Sequence, residues 1–389
     1  MSMPDWLSRD VLLISLSAFF ADAGYQALVV GLPLFLVIYL KAPVYLFGIV
    51  MALAYGGGSL FAYLGGKASE KYGKKRIALI GNLLIPILSL TGLASTAAEA
   101  GALYSGGWWA RNFRTPARRA MLGDITKKEY KGRVYGFLNA LDIGGGLVAV
   151  TYLSFAILAG MRISTVFIYT AVPILMSSLC LALVKYKGVG RIRHAVASIR
   201  QGIGKAAARA KTYKAVIAAT GIYGLSFYSI SFPILTVAQR SGSLAGVASY
   251  AIFLISSAVF GYIVGVRVRK LVHGLAFLGY FLAGVGSLVI GLAYAFSLGI
   301  VVSYVGMLLI GMAAGAIETF EPTIISIVKQ RRGSGSGMGA LTASRSIGLF
   351  AANLIVGFLY AIGPIYSYSI TGMLAFAAGA VLILFGREL

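Results

Sequence analysis

The side chains in this sequence that could do chemistry are ionisable groups placed where ionisable groups are expensive. Asp22, Arg111, Arg114, Asp142, Glu318, Glu321 and Arg345 each lie inside a long, otherwise apolar stretch. A charge at bilayer depth is costly unless it is paired or wetted, so each is a candidate functional group. A buried carboxyl such as Asp22 can carry a proton, and an arginine can bind an anion or sense that carboxyl's protonation. Ion pairing that only fixes helix packing is the competing role: Arg111 or Arg114 with Asp142, and Glu321 with Arg345. Asp22 has no basic residue in its own stretch. Residues three apart share a helix face, so Arg111 with Arg114 and Glu318 with Glu321 form two patches of opposite charge.

These groups must be positioned by membrane helices. Of 389 residues, 59% are hydrophobic and 12% charged, and the mean hydropathy is +0.87; a soluble globular chain is far more polar. A hydrocarbon core needs roughly 20 apolar residues in a helix, and runs of that length can be drawn twelve times. They are Val11 to Leu40, Leu46 to Gly65, Ile77 to Ala98, Ala102 to Ala120, Val134 to Leu158 and Ser164 to Val184, then Ala215 to Gln239, Val247 to Val266, Leu271 to Phe296, Leu298 to Val328, Met338 to Ile362 and Tyr366 to Phe385. The expected fold is all-α and integral to the membrane, with residues 1–184 and 215–389 as six-helix bundles and 185–214 as a basic linker. Ile192, Val196, Ile199 and Ile203 recur there at helical spacing, which predicts an amphipathic helix on the lipid surface.

The 34 Lys and Arg exceed the 11 Asp and Glu, for a formal charge of +23. Nucleic acid is not the expected partner, because the cations cluster at the ends of apolar runs, where they meet anionic lipid headgroups. They load the even-numbered connections, from Lys67, Lys71, Lys74, Lys75 and Arg76 through Lys127, Lys128, Lys131 and Arg133 to Arg267, Arg269 and Lys270. The positive-inside bias then places both termini in the cytoplasm. The N-terminus lacks the pattern of a cleaved leader, so the first span is expected to be retained. No Cys and His cluster suggests a metal and no Walker-type phosphate loop suggests ATP, so neither a cofactor nor a catalytic residue is expected. The glycine runs 56–58 and 144–146 are expected to allow close helix packing.

The first basic connection also carries a motif. Gly66, Glu70, Lys71, Gly73, Lys74 and Lys75 follow the order glycine, acid, base, glycine, base, base, at a spacing that resembles the loop between the second and third spans of major facilitator superfamily transporters. Arg111, Arg114, Thr115, Pro116 and Arg118, followed by Asp124, Gly132, Arg133, Gly136 and Phe137, resemble a subset of that family, with Asn112 in place of a usual glycine. The halves also echo each other: Gly136, Leu138, Ala140 and Asp142 match Gly339, Leu341, Ala343 and Arg345 in spacing.

This resemblance implies two pseudo-symmetric six-helix bundles with alternating access, in which spans 1, 4, 7 and 10 line a central cavity. Asp22, Gln26, Arg111, Arg114, Tyr223, Tyr228, Glu318 and Glu321 become cavity candidates, with the arginine and glutamate patches facing each other. It also implies a gate, in which Glu70 and its basic neighbours meet the positive N-terminal end of span 11. Gly66 and Gly73 are expected to permit close backbone packing there. The resulting expectation is a monomeric carrier of a small organic solute in the cell membrane, proton-coupled and exporting, with Asp22 as proton carrier. A uniporter or exchanger of organic anions with Arg111 and Arg114 as clamp is the alternative, and a non-transporting sensor or scaffold a remote one.

Overall fold

The computed structural model describes residues 4–186, 203–227, 229–328 and 334–387. Among them there is no strand. In chain order the membrane-length elements are α1 (Arg9–Tyr39), α2 (Val44–Tyr72), α3 (Lys74–Leu93), α4 (Ala97–Ile125), α5 (Lys131–Leu158), α6 (Ile163–Leu183), α7 (Ile203–Ser226 continued by Ser231–Ser241), α8 (Ser243–Arg267), α9 (Leu271–Ala295), α10 (Ile300–Val328), α11 (Ser334–Ile362) and α12 (Pro364–Phe385). Eleven of these are long and apolar enough to cross a membrane. The remaining one, α4, has the length at 29 residues but carries Arg111, Arg114, Arg118 and Arg119 within it.

Local sequence explains where the helices begin and bend. Thr96 and Glu99 form a reciprocal capping box at the start of α4, satisfying donors that would otherwise be orphaned. Gly73, at φ +96°, turns the chain between α2 and α3, a conformation that a Cβ disfavours. Pro86 ends the α-helical part of α3, which continues as a tighter helix over Ile85–Leu93. Pro173 removes the donor that would bond the carbonyl of Tyr169, and α6 breaks there into Ile163–Tyr169 and Ala171–Leu183. The start of α7 lies at Ile203, before the expected Ala215. Its early residues are mostly Ala, Lys and Arg, which favour helix without being apolar. The expected amphipathic segment from Ile192 lies outside the described residues.

The described chain packs as two units. The first holds residues from Met1–Ala42 and Leu53–His194. Its α1 is its central helix, 83% of its most apolar window being buried, against α5 and α6. The contact is close because α5 has glycine where they cross: a Cβ on Gly145 would sit 2.3 Å from the carbonyl oxygen of Phe19. The run 56–58 works similarly, since Gly57 and Gly58 admit Trp109 and Asn112 of α4. Both runs do what the sequence reading expected. An apolar core at one end gathers Val11, Ile14, Ala117, Met121, Leu138 and Leu181.

The second unit holds residues from Pro43–Ala52 and Ala195–Leu389. The first turns of α2 belong to it through Gly48, which meets Gly357 of α11, and Tyr45, stacked on Phe358. Gly224 against Gly348 joins α7 to α11, and Gly261 against Gly315 joins α8 to α10. Val216, Leu275, Ile317, Phe320 and Leu382 form its core. Large apolar side chains remain exposed, including Phe155, Leu179, Tyr262, Ile347 and Met373, as befits helices whose solvent is lipid.

Candidate functional site

In the first unit the charged groups converge from α1, α4 and α5. Asp22 is 4% exposed. Its Oδ1 accepts hydrogen bonds from the Tyr25 hydroxyl at 2.5 Å and from Gln26 Nε2 at 3.1 Å, the two residues that helix geometry places one turn along. Gly145 brings α5 to this level, its Cβ position lying 3.0 Å from the Asp22 Cβ. Asp22 makes no ion pair among the described residues.

Arg111, Arg114 and Arg118 share one face of α4 but do three different things. The Arg111 guanidinium lies 4.6 Å from the ring centroid of Tyr25 and 4.7 Å from that of Trp108. Those rings are 5.9 Å apart at 89°, and Trp108 also meets Tyr55 at 5.0 Å. The ring faces carry partial negative charge, which holds the cation without neutralising it. Arg114 is fully buried and donates from Nη1 to Asn82 Oδ1 at 2.7 Å. Asn82 in turn donates to Ser177 and Ser178 of α6, and Ser177 to the carbonyl of Ser17. Gly81 makes room for this, because a Cβ there would lie 2.9 Å from the Arg114 Cβ. Arg118 approaches Asp142 at 3.7 Å.

Two expectations are corrected here. Arg111 and Arg114 are not one patch, because Arg111 is held by rings and half-buried while Arg114 is sealed against α3. The partner of Asp142 is Arg118, neither of the arginines expected, because Asp142 lies at the level of Arg118, one helical turn along α4 from Arg114. Arg111 Nε, Arg114 Nε and Nη2, and Arg118 Nε and Nη1 are buried without a hydrogen-bond acceptor.

In the second unit Glu321 of α10 is fully buried. It pairs with Arg345 of α11, as expected, through Oε2. Its Oε1 accepts from the Tyr280 hydroxyl of α9 at 2.8 Å, and Tyr280 meets Thr220 of α7 at 3.2 Å. Glu318, one turn away, is exposed and does not share the sealed site. Tyr223 is 3% exposed and stacks on Tyr280 with centroids 4.8 Å apart, so it packs on the ring whose hydroxyl bonds Glu321. Tyr228 lies outside the described residues. Beside it α7 is interrupted, and Asn353 of α11 accepts from the freed N–H of Ser229 at 3.0 Å.

The loop motif is tied to its own unit. Lys74 Nζ reaches Asp124 Oδ2 at 2.6 Å, an oxygen that also accepts from Tyr186 at 2.5 Å. Lys75 Nζ donates to the carbonyls of Ala182 and Val184 at 2.9 and 2.7 Å, a cation at the negative end of α6. These two lysines therefore bind protein rather than lipid. Lys71 lies over the ring of Tyr72, and Glu70 is exposed. The expected close approach at Gly66 occurs one residue earlier: a Cβ on Gly65 would fall 2.0 Å from the Phe113 carbonyl oxygen, whereas Gly66 has nothing nearer than 3.9 Å. Gly73 has no neighbour within 4 Å and serves only its positive φ.

Sequence reasoning did not single out Tyr25, Asn82, Trp108, Arg118 or Tyr280 as site residues. Tyr25 and Arg118 lay within helical reach of residues that it did, at i+3 from Asp22 and i+4 from Arg114; Asn82 and Tyr280 come from other helices and left no local signal.

Residues 14–352 match the sequence model of the Major Facilitator Superfamily. None of the curated proteins matches the sequence. Among solved structures, a crystal structure of the nucleoside transporter NupG, in a point-mutant form, is similar with a TM-score of 0.75 at 12% identity, over 96% of this chain and 98% of that one. The inward-open xylose transporter XylE from E. coli has a TM-score of 0.71 at 15% identity, covering 97% and 96%. The human organic anion transporter MFSD10 has 0.68 at 14%, covering 98% and 100%.

Proposed function

The chain belongs to the Major Facilitator Superfamily and is a multi-pass membrane transporter, not an enzyme, and we propose that it is a proton-coupled secondary carrier of a small organic solute working by alternating access. One observation carries the coupling. Asp142 and Glu321 each face an arginine, whereas the buried Asp22 is held by a neutral hydroxyl and a neutral amide. A carboxyl so held can take up and release a proton without breaking an ion pair, which is what a coupling group must do.

The solutes named for similar structures are a nucleoside, xylose and organic anions. That breadth, at such low identity, supports the fold and leaves the solute to this chain's own residues. The carrier is proposed to sit as a monomer in the cell membrane with both termini cytoplasmic. The basic connections that argue for this include the exposed Lys67, Lys71, Arg76 and Lys127, which suit anionic headgroups.

The test is solute-driven proton movement in liposomes containing the full chain. Wild type should acidify or alkalinise the lumen with solute flux, and Asp22→Asn should exchange solute without moving protons. Undiminished proton movement in Asp22→Asn would remove the coupling role.

A further inference from the structure

We propose that the solute is an organic monocarboxylate that docks on Arg111 with its apolar body against Trp108 and Tyr55, and that it binds together with the proton, so that both cross in the same direction. This rests on Asp22 being the proton site and deepens that reading by naming the solute class and the sign of coupling.

Charge balance favours an anionic solute. The ionisable groups whose charge reaches Asp22, none of the arginines as an ion pair, are Tyr25 from its own helix, Arg111, Arg114 and Arg118 from α4, and Asp142 from α5. The polar residues of α3 and α6 at this level are Asn82, Ser177 and Ser178, none of which ionises. Three guanidinium groups against two carboxylates leave one positive charge in excess even when Asp22 is ionised. An unbalanced charge inside a helix bundle is costly; protonation of Asp22 raises the excess to two positive charges, and a bound monoanion returns it to one.

Geometry then selects the arginine. Arg114 is sealed and committed to Asn82, and Arg118 faces Asp142. Arg111 alone of the three retains exposure, forms no ion pair among the described residues, and is oriented by two rings. A guanidinium held over two ring faces is neutralised by neither, and its fork of N–H donors matches a planar carboxylate. Tyr55 is partly buried and meets Trp108 edge to face, which adds an aromatic surface beside the cation for a solute that is part apolar.

Linkage fixes the direction. Ionised Asp22 offsets part of the positive field at Arg111, and its protonation restores that field, so the proton strengthens anion binding. By reciprocity the anion strengthens proton binding by the same factor. Two ligands with positive linkage favour the doubly loaded carrier, which makes a symporter. With protons in excess outside, the carrier takes solute up, in place of the export expected from sequence. One monoanion with one proton moves no net charge.

The experiment is calorimetric titration of the purified full-length protein with acetate, octanoate and phenylacetate, and with phenylacetamide as the neutral isostere. Each is run in two buffers of different ionisation enthalpy to count protons. Phenylacetate should bind at least about thirtyfold more tightly than phenylacetamide, with close to one proton taken up per anion, and wild-type affinity should fall by up to about tenfold per pH unit. Arg111→Gln should lose the carboxylate preference. Tyr55→Leu should weaken phenylacetate about fivefold and acetate by much less, a readout that survives if Arg111→Gln fails to fold. In Asp22→Asn, phenylacetate should still bind, with no proton uptake and no pH dependence.

Binding by none of the carboxylates, or equal binding of the amide, overturns the solute class; a proton released on binding overturns symport. If Asp22→Asn still takes up a proton while Arg111→Gln loses the anion, the Asp22 reading fails and the clamp stands. If Asp22→Asn loses coupling while the amide competes equally, the clamp fails and Asp22 stands.

Discussion

Replacing Arg345 by methionine should strand the carboxylate of Glu321. The side chain of Glu321 has no exposure at all, whereas that of Arg345 is 27% exposed. Removing one partner of a buried ion pair costs about 3–5 kcal/mol, because the survivor stays charged without compensation. The Tyr280 hydroxyl still bonds Oε1, and water reaches the vacated side, so the lower end applies, about 3 kcal/mol or roughly a hundredfold in the unfolding equilibrium. Glu321→Gln alone should cost less, about 1 kcal/mol, since Arg345 keeps partial access to water and lies near Glu318. The double variant Glu321→Gln with Arg345→Met should return to within about 1 kcal/mol of wild type, for a coupling energy of about 3 kcal/mol by double-mutant cycle. The assay is reversible unfolding of purified protein in mixed micelles, followed by circular dichroism. A coupling energy near zero, or a double variant as unstable as Arg345→Met, would refute the claim that the pair holds α10 to α11.

Two further outcomes follow from the motif loop. Gly65→Ala should destabilise by about 1–3 kcal/mol through overpacking against the Phe113 carbonyl, while Gly66→Ala, with its nearest neighbour at 3.9 Å, should be tolerated; thermal unfolding of the two variants side by side checks this. Lys74→Met should cost less than about 1 kcal/mol, because both partners in its bond to Asp124 are partly exposed, and raised salt should shrink the difference from wild type in the same unfolding assay.

How far the site could be read depends on how local each relation is. The charges of α4 and α10 were legible as ionisable residues three apart in apolar runs, but that spacing did not tell that one of each pair, Arg114 and Glu321, is fully buried while Arg111 and Glu318 are not. The pairing of Glu321 with Arg345 was legible too, as opposite charges on neighbouring spans. The pairing of Asp142 was not, because Arg111, Arg114 and Arg118 are all on the same face and only the level at which Asp142 sits along α4 selects among them. The glycine run of α5 announced a close approach. That the approach would fall at the level of Asp22 depended on helix register, which no short-range pattern encodes. The motif lysines looked like lipid anchors because exposed cations beside apolar spans usually are. Their actual partners, Asp124 and the end of α6, lie far along the chain.

Residue types and their spacing by themselves determined that this is a membrane protein, roughly where its helices run, which few charges lie within them, and to which transporter family the loop motif points. Those properties follow from the thickness of a bilayer and the period of a helix, which act on consecutive residues. The tertiary structure decided which of three equivalent arginines stays open, which is sealed and which is paired, and that Asp22 is bonded by neutral groups alone. Such distinctions arise from where separate helices cross, and crossings are set by the packing of surfaces assembled from the whole unit.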